Sequence, residues 1–413
     1  MKYQFETLKD YIDPAMMLHE ENGDIYFLNN DIEKGSMFFE ERNDFVVLWC
    51  DKLKNIQREK IYKAMPSILK TTVIFPFVES AEERDLLLSI GAEKVDFQDN
   101  LQDDYCQEFG SFALKYAPMQ FKKLKIEDID SVKDKLYLYA PNRSNDYTIA
   151  GLFLWRDILN GHVTFEQEGI YIYQYVDGVY LFYFPLCEDI EAGFRKIINY
   201  CSVNRLPYGF YPFTEENTEY LRRFNIPFEV KRSDDYNDYL YYIEELADFK
   251  GKAFHRHKNH INKFDKEYSN FSFELITETN LDEVKNFFGN FAKEKLEEPM
   301  DDIEREELLK IPEVLSHMKE YNLFGYCLKI DGVVQGFELG EIVGDMYYSH
   351  IQKANRNIDG IYTKIVNLVA KELKGKAVFI NREEDMGDLG LRAAKQRYHP
   401  CGFVKKEMIF CKG

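Results

Sequence analysis

Residues 208–231, YGFYPFTEENTEYLRRFNIPFEVK, decide the fold. An apolar run ends in Pro212-Phe213-Thr214-Glu215, acids open a short helical stretch, and a second apolar run follows. Proline has no N–H to offer a strand ladder, and carboxylates at a helix start complement its dipole. The tetrapeptide therefore marks a strand leaving its sheet for a helix. The same order occurs at 72–95, TVIFPFVESAEERDLLLSIGAEKV. There Pro76 to Glu79 aligns with Pro212 to Glu215, Ile90 with Ile226 and Glu93 with Glu229. A looser third copy starts at residue 377: AVFIN as strand, REEDMGDLG as turn, LRAAKQRYH as helix and CGFVKKEMIF as returning strand.

A further strand-then-helix pair precedes each copy. These are FVVLWC (45–50) with IQREKIYKAM, VYLFYF (179–184) with IEAGFRKIINYC, and MYYSHI (346–351) with IYTKIVNLVAKEL. Each unit thus reads β-α-β-α-β, an α+β (α/β-like) arrangement of sheets layered with helices. The boundaries fall near 118, where APMQFKKLKIEDI restarts a strand-helix pattern, and near 247, after YNDYLYYI. Three units follow: residues 1–118, 119–247 and 248–413. Chance recurrence of a tetrapeptide in strand-turn-helix segments is the alternative to repetition.

A chain of 413 residues exceeds one ordinary core, in keeping with several units. With 45% hydrophobic and 30% charged residues it has the balance of a globular protein. The 72 acidic residues against 53 basic ones give a net charge of −19. So acidic a surface is a poor coat for DNA or an anionic membrane. The excess is uneven, since residues 1–118 hold 23 acids against 13 bases. Mean hydropathy is −0.44, and no apolar run approaches the length of a membrane span. No secretory signal is read at the start, and seven scattered cysteines without a CxxC read as reduced thiols. The expectation is a cytoplasmic protein.

From about residue 119 onward the chain resembles the bacterial tandem GNAT-fold family related to the C-terminal domain of phosphatidylglycerol lysyltransferases. Leu154-Trp155-Arg156, GKAFHRHKNHINKF (251–264), HIQKANRNIDGIY (350–362) and NREEDMGDLGLRAAKQRYHP (381–400) carry the resemblance. Residues 1–118 lack it and read as an accessory, degenerate GNAT-like unit. The resemblance implies two GNAT-like folds sharing a cleft and transfer of an acyl or aminoacyl group. The donor would be an acyl-CoA or an aminoacyl-tRNA.

In such folds the loop before the long helix holds the donor's phosphates on backbone N–H groups. The physics is general, because a helix start has orphan donors and a positive dipole end. The C-terminal unit offers Lys353, Arg356 and Gly360 there, whereas the middle unit has the acidic Pro185-Leu-Cys-Glu188-Asp189. Donor binding is therefore assigned to Lys353, Arg356 and Gly360. Arg356 and Gly360 stand one residue further apart than in the usual Arg/Gln-x-x-Gly-x-Gly/Ala pattern.

The stretch 251–266 gathers Lys252, His255, Arg256, Lys258, Asn259 and Lys263. Apolar Phe254, Ile261 and Phe264 take one helical face and leave the cations on the other. The expectation is a basic rim of the shared cleft that binds an anion; the rival is a solvated helix face. No metal is expected, because the His spacing does not converge on one face.

Asn381, Glu383, Glu384 and Asp385 end a strand, where such sheets open toward ligands. Glu383 or Glu384 could take the proton from an attacking amine, with Arg392 and Lys395 pairing nearby. His350 is a second candidate base and Tyr362 a candidate acid. The expected function is transfer of an activated acyl group onto an amine or hydroxyl, with small-molecule donor and acceptor preferred over tRNA. The alternative is a non-catalytic module binding a small anionic metabolite.

Overall fold

The computed structural model describes residues 119–412 apart from 205 and 225, and before them 25–27, 37–42, 45–50, 72–75, 78, 80–89, 92–95 and 111–115. These residues build three sheets. The N-terminal sheet holds β1 (Ile25–Phe27), β2 (Met37–Arg42), β3 (Phe45–Cys50), β4 (Thr72–Phe75), β5 (Glu93–Val95) and β6 (Ser111–Lys115), in the order β1-β2-β3-β4-β6-β5. Helix α1 (Ala81–Ser89) joins β4 to β5. The helix expected after residues 45–50, and Pro76, Phe77 and Glu79 of the first tetrapeptide, lie outside the described residues.

The middle unit contributes β7 (Lys122–Lys123), β8 (His162–Phe165), β9 (Gly169–Val176), β10 (Val179–Phe182), β11 (Leu186–Cys187), β12 (Tyr208–Phe213) and β13 (Phe228–Arg232). Its helices are α2 (Ile129–Tyr139), α3 (Ile149–Leu154), α4 (Ile190–Val203) and α5 (Glu215–Arg222). Thr214 starts α5 where expected, its hydroxyl accepting from Asn217 N while the Asn217 amide accepts from Thr214 N.

The remainder folds as β14 (Asp238–Tyr242), α6 (Ile243–Asp248), α7 (His255–Glu267), β15 (Phe271–Leu275), α8 (Leu281–Lys295) and α9 (Asp302–Ser316). Then come β16 (Phe324–Ile330), β17 (Val333–Val343), β18 (Met346–Ala354), α10 (Ile361–Leu373) and β19 (Phe379–Asn381). The chain continues through α11 (Leu389–Gln396), β20 (Gly402–Val404) and β21 (Glu407–Cys411).

All three sheets share one plan: an antiparallel run, one parallel pair (β3 with β4, β10 with β12, β18 with β19), then a strand inserted before the last. The inserted strand differs in origin. In the N-terminal sheet it is β6, which follows β5 along the chain. The other two sheets exchange theirs: β21 sits between β12 and β13, and β14 sits between β19 and β20.

Two expectations change here. The boundary near 247 does not divide the sheets, because β14 precedes it and belongs to the C-terminal sheet. The returning strand expected over 401–410 is two strands, β20 and β21, which enter different sheets on either side of Lys405-Lys406. Burial of the Lys406 ammonium among carboxylates holds that break.

The packing follows the exchange. One apolar cluster runs from the middle unit (Phe182, Phe194, Phe210) through α8 and α9 to one face of the C-terminal sheet (Phe337, Leu339, Ile351). A second covers the opposite face, with Leu328 against Ile365 and Val369 of α10 and Phe254 and Phe264 of α7. Each fully buried phenyl group contributes about 1.5–3 kcal/mol. Buried Arg156, in the Leu-Trp-Arg stretch, adds a polar latch: its guanidinium donates to both Glu313 oxygens at 2.9 and 2.8 Å and to Tyr321 at 2.8 Å. That motif serves the unit interface.

Candidate active site

Strands β17 and β18 are out of step by one residue where Gly340 pairs with Ser349 and Leu339 with Ile351. His350 is the extra residue of this bulge, and bulges re-aim side chains. Its ring is 1% exposed and sits between two carboxylates: Nε2 is 3.2 Å from Glu341 Oε1 and Nδ1 is 2.8 Å from Glu383 Oε1. Burial pushes the imidazole pKa down, but the hydrogen bonds to Glu341 and Glu383 outweigh it and raise it to about 9. With a carboxylate at each ring nitrogen, the surroundings of His350 favour the imidazolium over the neutral ring that a base requires.

Glu341 also accepts from Tyr137 Oη at 2.5 Å and Ala150 N at 3.1 Å, both from the middle unit. Burial would raise its pKa, yet His350 holds it below the ordinary value. Glu383 has a left-handed backbone, φ 59°, held by Asn381 Oδ1 accepting from its N–H at 2.8 Å. Non-glycine residues adopt this region at a cost and concentrate at functional sites.

A second knot lies at the crossing of the two exchanged strands. Lys406, 1% exposed, directs Nζ to Asp238 (2.8 Å), Asp146 (2.9 Å), Glu384 (3.0 Å) and Asn145 Oδ1 (3.1 Å). Asp238 Oδ2 in turn accepts from Asn145 N at 2.8 Å and Asn381 Nδ2 at 2.9 Å. Burial pushes Asp238 up against the pull of Lys406, while at Glu384 Lys406 outweighs burial and holds the pKa down. Three carboxylates therefore surround one ammonium, and Glu383 and Glu384 keep 20% and 16% of their side chains open to solvent. A cleft of 1310 Å³ opens beside this knot, walled by Asn142, Arg143 and Asn237 on one side and by Phe403, Lys405 and Lys406 on the other.

The strand ends are tied down around these acids. Lys395 Nζ donates to the carbonyls of Arg382, Glu383 and Glu384, and burial lowers its pKa to about 8. Arg392 grips Asp385 and Asp235, and Tyr239 donates to Asp385 at 2.5 Å. Asn381, Asp385, Arg392 and Lys395 thus act as supports for the two glutamates. Tyr362 spends its hydroxyl on Ala354, accepting from N at 3.2 Å and donating to O at 3.1 Å. It staples α10 to β18, so it is not placed as an acid for the leaving group.

The three donor residues separate. Lys353 Nζ pairs with Glu307 of α9 at 2.6 Å, and Arg356 lies 5.9 Å above the Phe291 ring of α8. Both therefore belong to the face covered by α8 and α9. Gly360 borders α7 on the other face: a Cβ there would stand 3.1 Å from His260 O, and its φ of 80° suits glycine. It caps α10 with no side chain.

The basic helix is also displaced from its expected position. Phe254 and Phe264 plug α7 into the cluster shared with α10, so α7 lies on the sheet face away from the middle unit. Lys252, His255, Arg256, Lys258 and Asn259 are exposed there and do not line the cleft between units. Further along α7, Lys263 and His260 approach Asp359, just before α10, at 2.6 and 3.7 Å.

Asp146, Asp238, Glu341 and Lys406 escaped the sequence reading. One trace of them is visible there: Lys405-Lys406 interrupts an otherwise apolar run, a local conflict of the kind that marks functional or strained sites.

A family model described as phosphatidylglycerol lysyltransferase, C-terminal, matches residues 139–409. No curated protein matches the sequence. Among solved structures, a conserved protein of unknown function from Bacteroides thetaiotaomicron is similar at 24% identity and TM-score 0.64, over 71% of this chain and all of that one. The C-terminal domain of a putative lysylphosphatidylglycerol synthetase from Agrobacterium fabrum shares 11% identity over 70% of this chain and 92% of that one, at TM-score 0.50. L-PGS from Bacillus licheniformis shares 12% over the same fractions, also at 0.50. These likenesses show a fold shared with the C-terminal domains of lysylphosphatidylglycerol synthetases. Among the described residues no helix is long and apolar enough to cross a membrane.

Proposed function

Because the chain belongs to the phosphatidylglycerol lysyltransferase C-terminal family, we propose that it transfers an acyl or aminoacyl group to an amine or hydroxyl acceptor where the two exchanged strands cross. The observation that carries this reading is the pair of mostly buried but solvent-reachable carboxylates, Glu383 and Glu384, each backed by a buried cation. An acceptor amine must lose a proton as it attacks the carbonyl carbon. Glu383 and Glu384 each have one oxygen engaged, by His350 and Lys406, and Glu383, the more exposed of the two at 20% against 16%, is the stronger candidate to receive it. The proton of the attacking group moves to the carboxylate as the carbon–nitrogen or carbon–oxygen bond forms, and the donor's acyl bond breaks. Phosphates of the donor would meet the start of α10, which no side chain caps and which His260 and Lys263 flank.

The test is a transfer assay with coenzyme A esters and aminoacyl-tRNA as donors, comparing Glu383→Gln with the parent. The variant should lose about 100-fold or more in kcat with donor binding retained. Undiminished turnover in Glu383→Gln would overturn the assignment. A non-catalytic reading is favoured by one observation: β18 and β19 pair only over Met346–Tyr348, and beyond that the split is spanned by His350–Glu383 and by Arg382 donating to Gln352 at 3.1 Å. Donor binding without turnover for any of the donors would select that reading.

A further inference from the structure

A second cavity, of 570 Å³, lies between α8, the turn at 332–335 and the loop at 355–357. It shares no lining residue with the cleft between the units. Phe287 and Phe291 are half-buried along its α8 wall, one turn apart, with ring centroids 6.3 Å from each other. Exposed Asn286 and Asn290 flank them on the same helix, and Asn355 and Asn357 face them from the loop. Gln335 completes the amide set, accepting from Asn355 Nδ2 at 2.9 Å. Arg356 leans over Phe291 and pairs with Glu298 at 3.4 Å.

The chemistry of this wall is selective. Three carboxylates (Glu283, Glu294, Glu298) outnumber two cations (Lys295, Arg356), so a phosphate or carboxylate ligand would meet net repulsion. A wholly apolar ligand would strand the amides. A carboxamide offers both donor and acceptor, the same pairing a hydroxyl offers, and a half-buried ring offers an apolar face. Hydroxyl-rich rings with C–H faces satisfy both demands at once. A volume of this size falls within the range of small-ligand pockets.

We propose that this groove binds a neutral sugar of one to three rings, stacked on Phe287 and Phe291 and hydrogen-bonded by the facing asparagines. Arg356 then belongs to a sugar site and not to the donor loop. The proposal does not depend on transfer at Glu383.

Saturation-transfer NMR and calorimetric titration of the full chain with glucose, N-acetylglucosamine and maltotriose test it, with uridine diphosphate as an anionic comparison. At least one neutral sugar should bind, and Phe291→Ala should weaken it about tenfold. Asn290→Ala, at an exposed position, should weaken it several-fold with unchanged circular dichroism. This second variant separates lost binding from lost folding. Absence of binding by all three sugars would overturn the proposal. So would affinity unchanged in both variants, or tighter binding of uridine diphosphate that Asn290→Ala weakens.

Discussion

In the middle unit, β10 runs through Tyr183-Phe184-Pro185 into β11, which pairs back onto β9, and Asp189 then accepts from Ala192 N at 3.0 Å at the start of α4. In the C-terminal unit, β18 runs on past its partner, and α10 starts at Gly360 with no side chain over its first N–H groups. The two turns occupy the same place in the same plan. One answers an orphan donor with the Asp189 carboxylate; at the other no side chain caps the helix, and the nearest carboxylate, Asp359, pairs with Lys263 and the Gly360 N–H. An acidic cap and an anion site are alternative occupants of one helix end.

The largest test of the comparison asks whether the units are separable at all. Truncation after residue 404 removes β21 from the interior of the middle sheet. Circular dichroism should show loss of the cooperative thermal transition, and a native-like melt would mean that the exchange is dispensable. Next comes Lys406→Met, which leaves Asp146, Asp238 and Glu384 without their ammonium. Denaturant unfolding should register a loss of about 3–5 kcal/mol, because a buried charge is left unpaired. Asp238→Asn in that background should recover part of it.

A third test uses pH. The folded pKa of His350, about 9, lies above its unfolded value, so its contribution is complete below about 6.5 and fades as pH rises through 9. Melting temperature should therefore fall across that window in the parent and fall less in His350→Gln. An equal decline in both would show that the imidazolium does not hold the units together. The smallest expected effect comes from making the two turns alike. Gly360→Asp should weaken inorganic pyrophosphate binding about tenfold by calorimetry, at a stability cost of about 1 kcal/mol from the left-handed backbone. Asp189→Gly should not create a comparable site, since no basic helix stands beside it. If it does, the cap alone decides.

The plan of alternating strands and helices was legible because it is written locally. Pro212-Phe213 and the apolar periods of 179–184 and 361–373 lie within the elements they specify. Glu383 and Glu384 were legible as strand-end groups, whereas His350, read as ending its strand, lies inside β18 at a bulge. The bulge that turns His350 between two acids depends on register with β17, which no local pattern encodes. The basic helix was read correctly as amphipathic, but an apolar stripe does not say which face of a sheet it will cover. Asp238 and Lys406 were out of reach for a deeper reason. Each lies on or beside a strand that leaves its own unit, so their meeting depends on pairing across the whole fold.

That exchange also orders events on the ribosome. The N-terminal sheet has every strand it needs once residue 115 has been made. The middle sheet begins at residue 122, and β13, which among the described residues pairs with β21 alone, cannot join it until residues 407–411 emerge. Until then the β12 edge that β21 covers is unpaired, a template that any passing strand could occupy. The nascent chain thus has a long window of vulnerability, and slow emergence of its last strand would lengthen it.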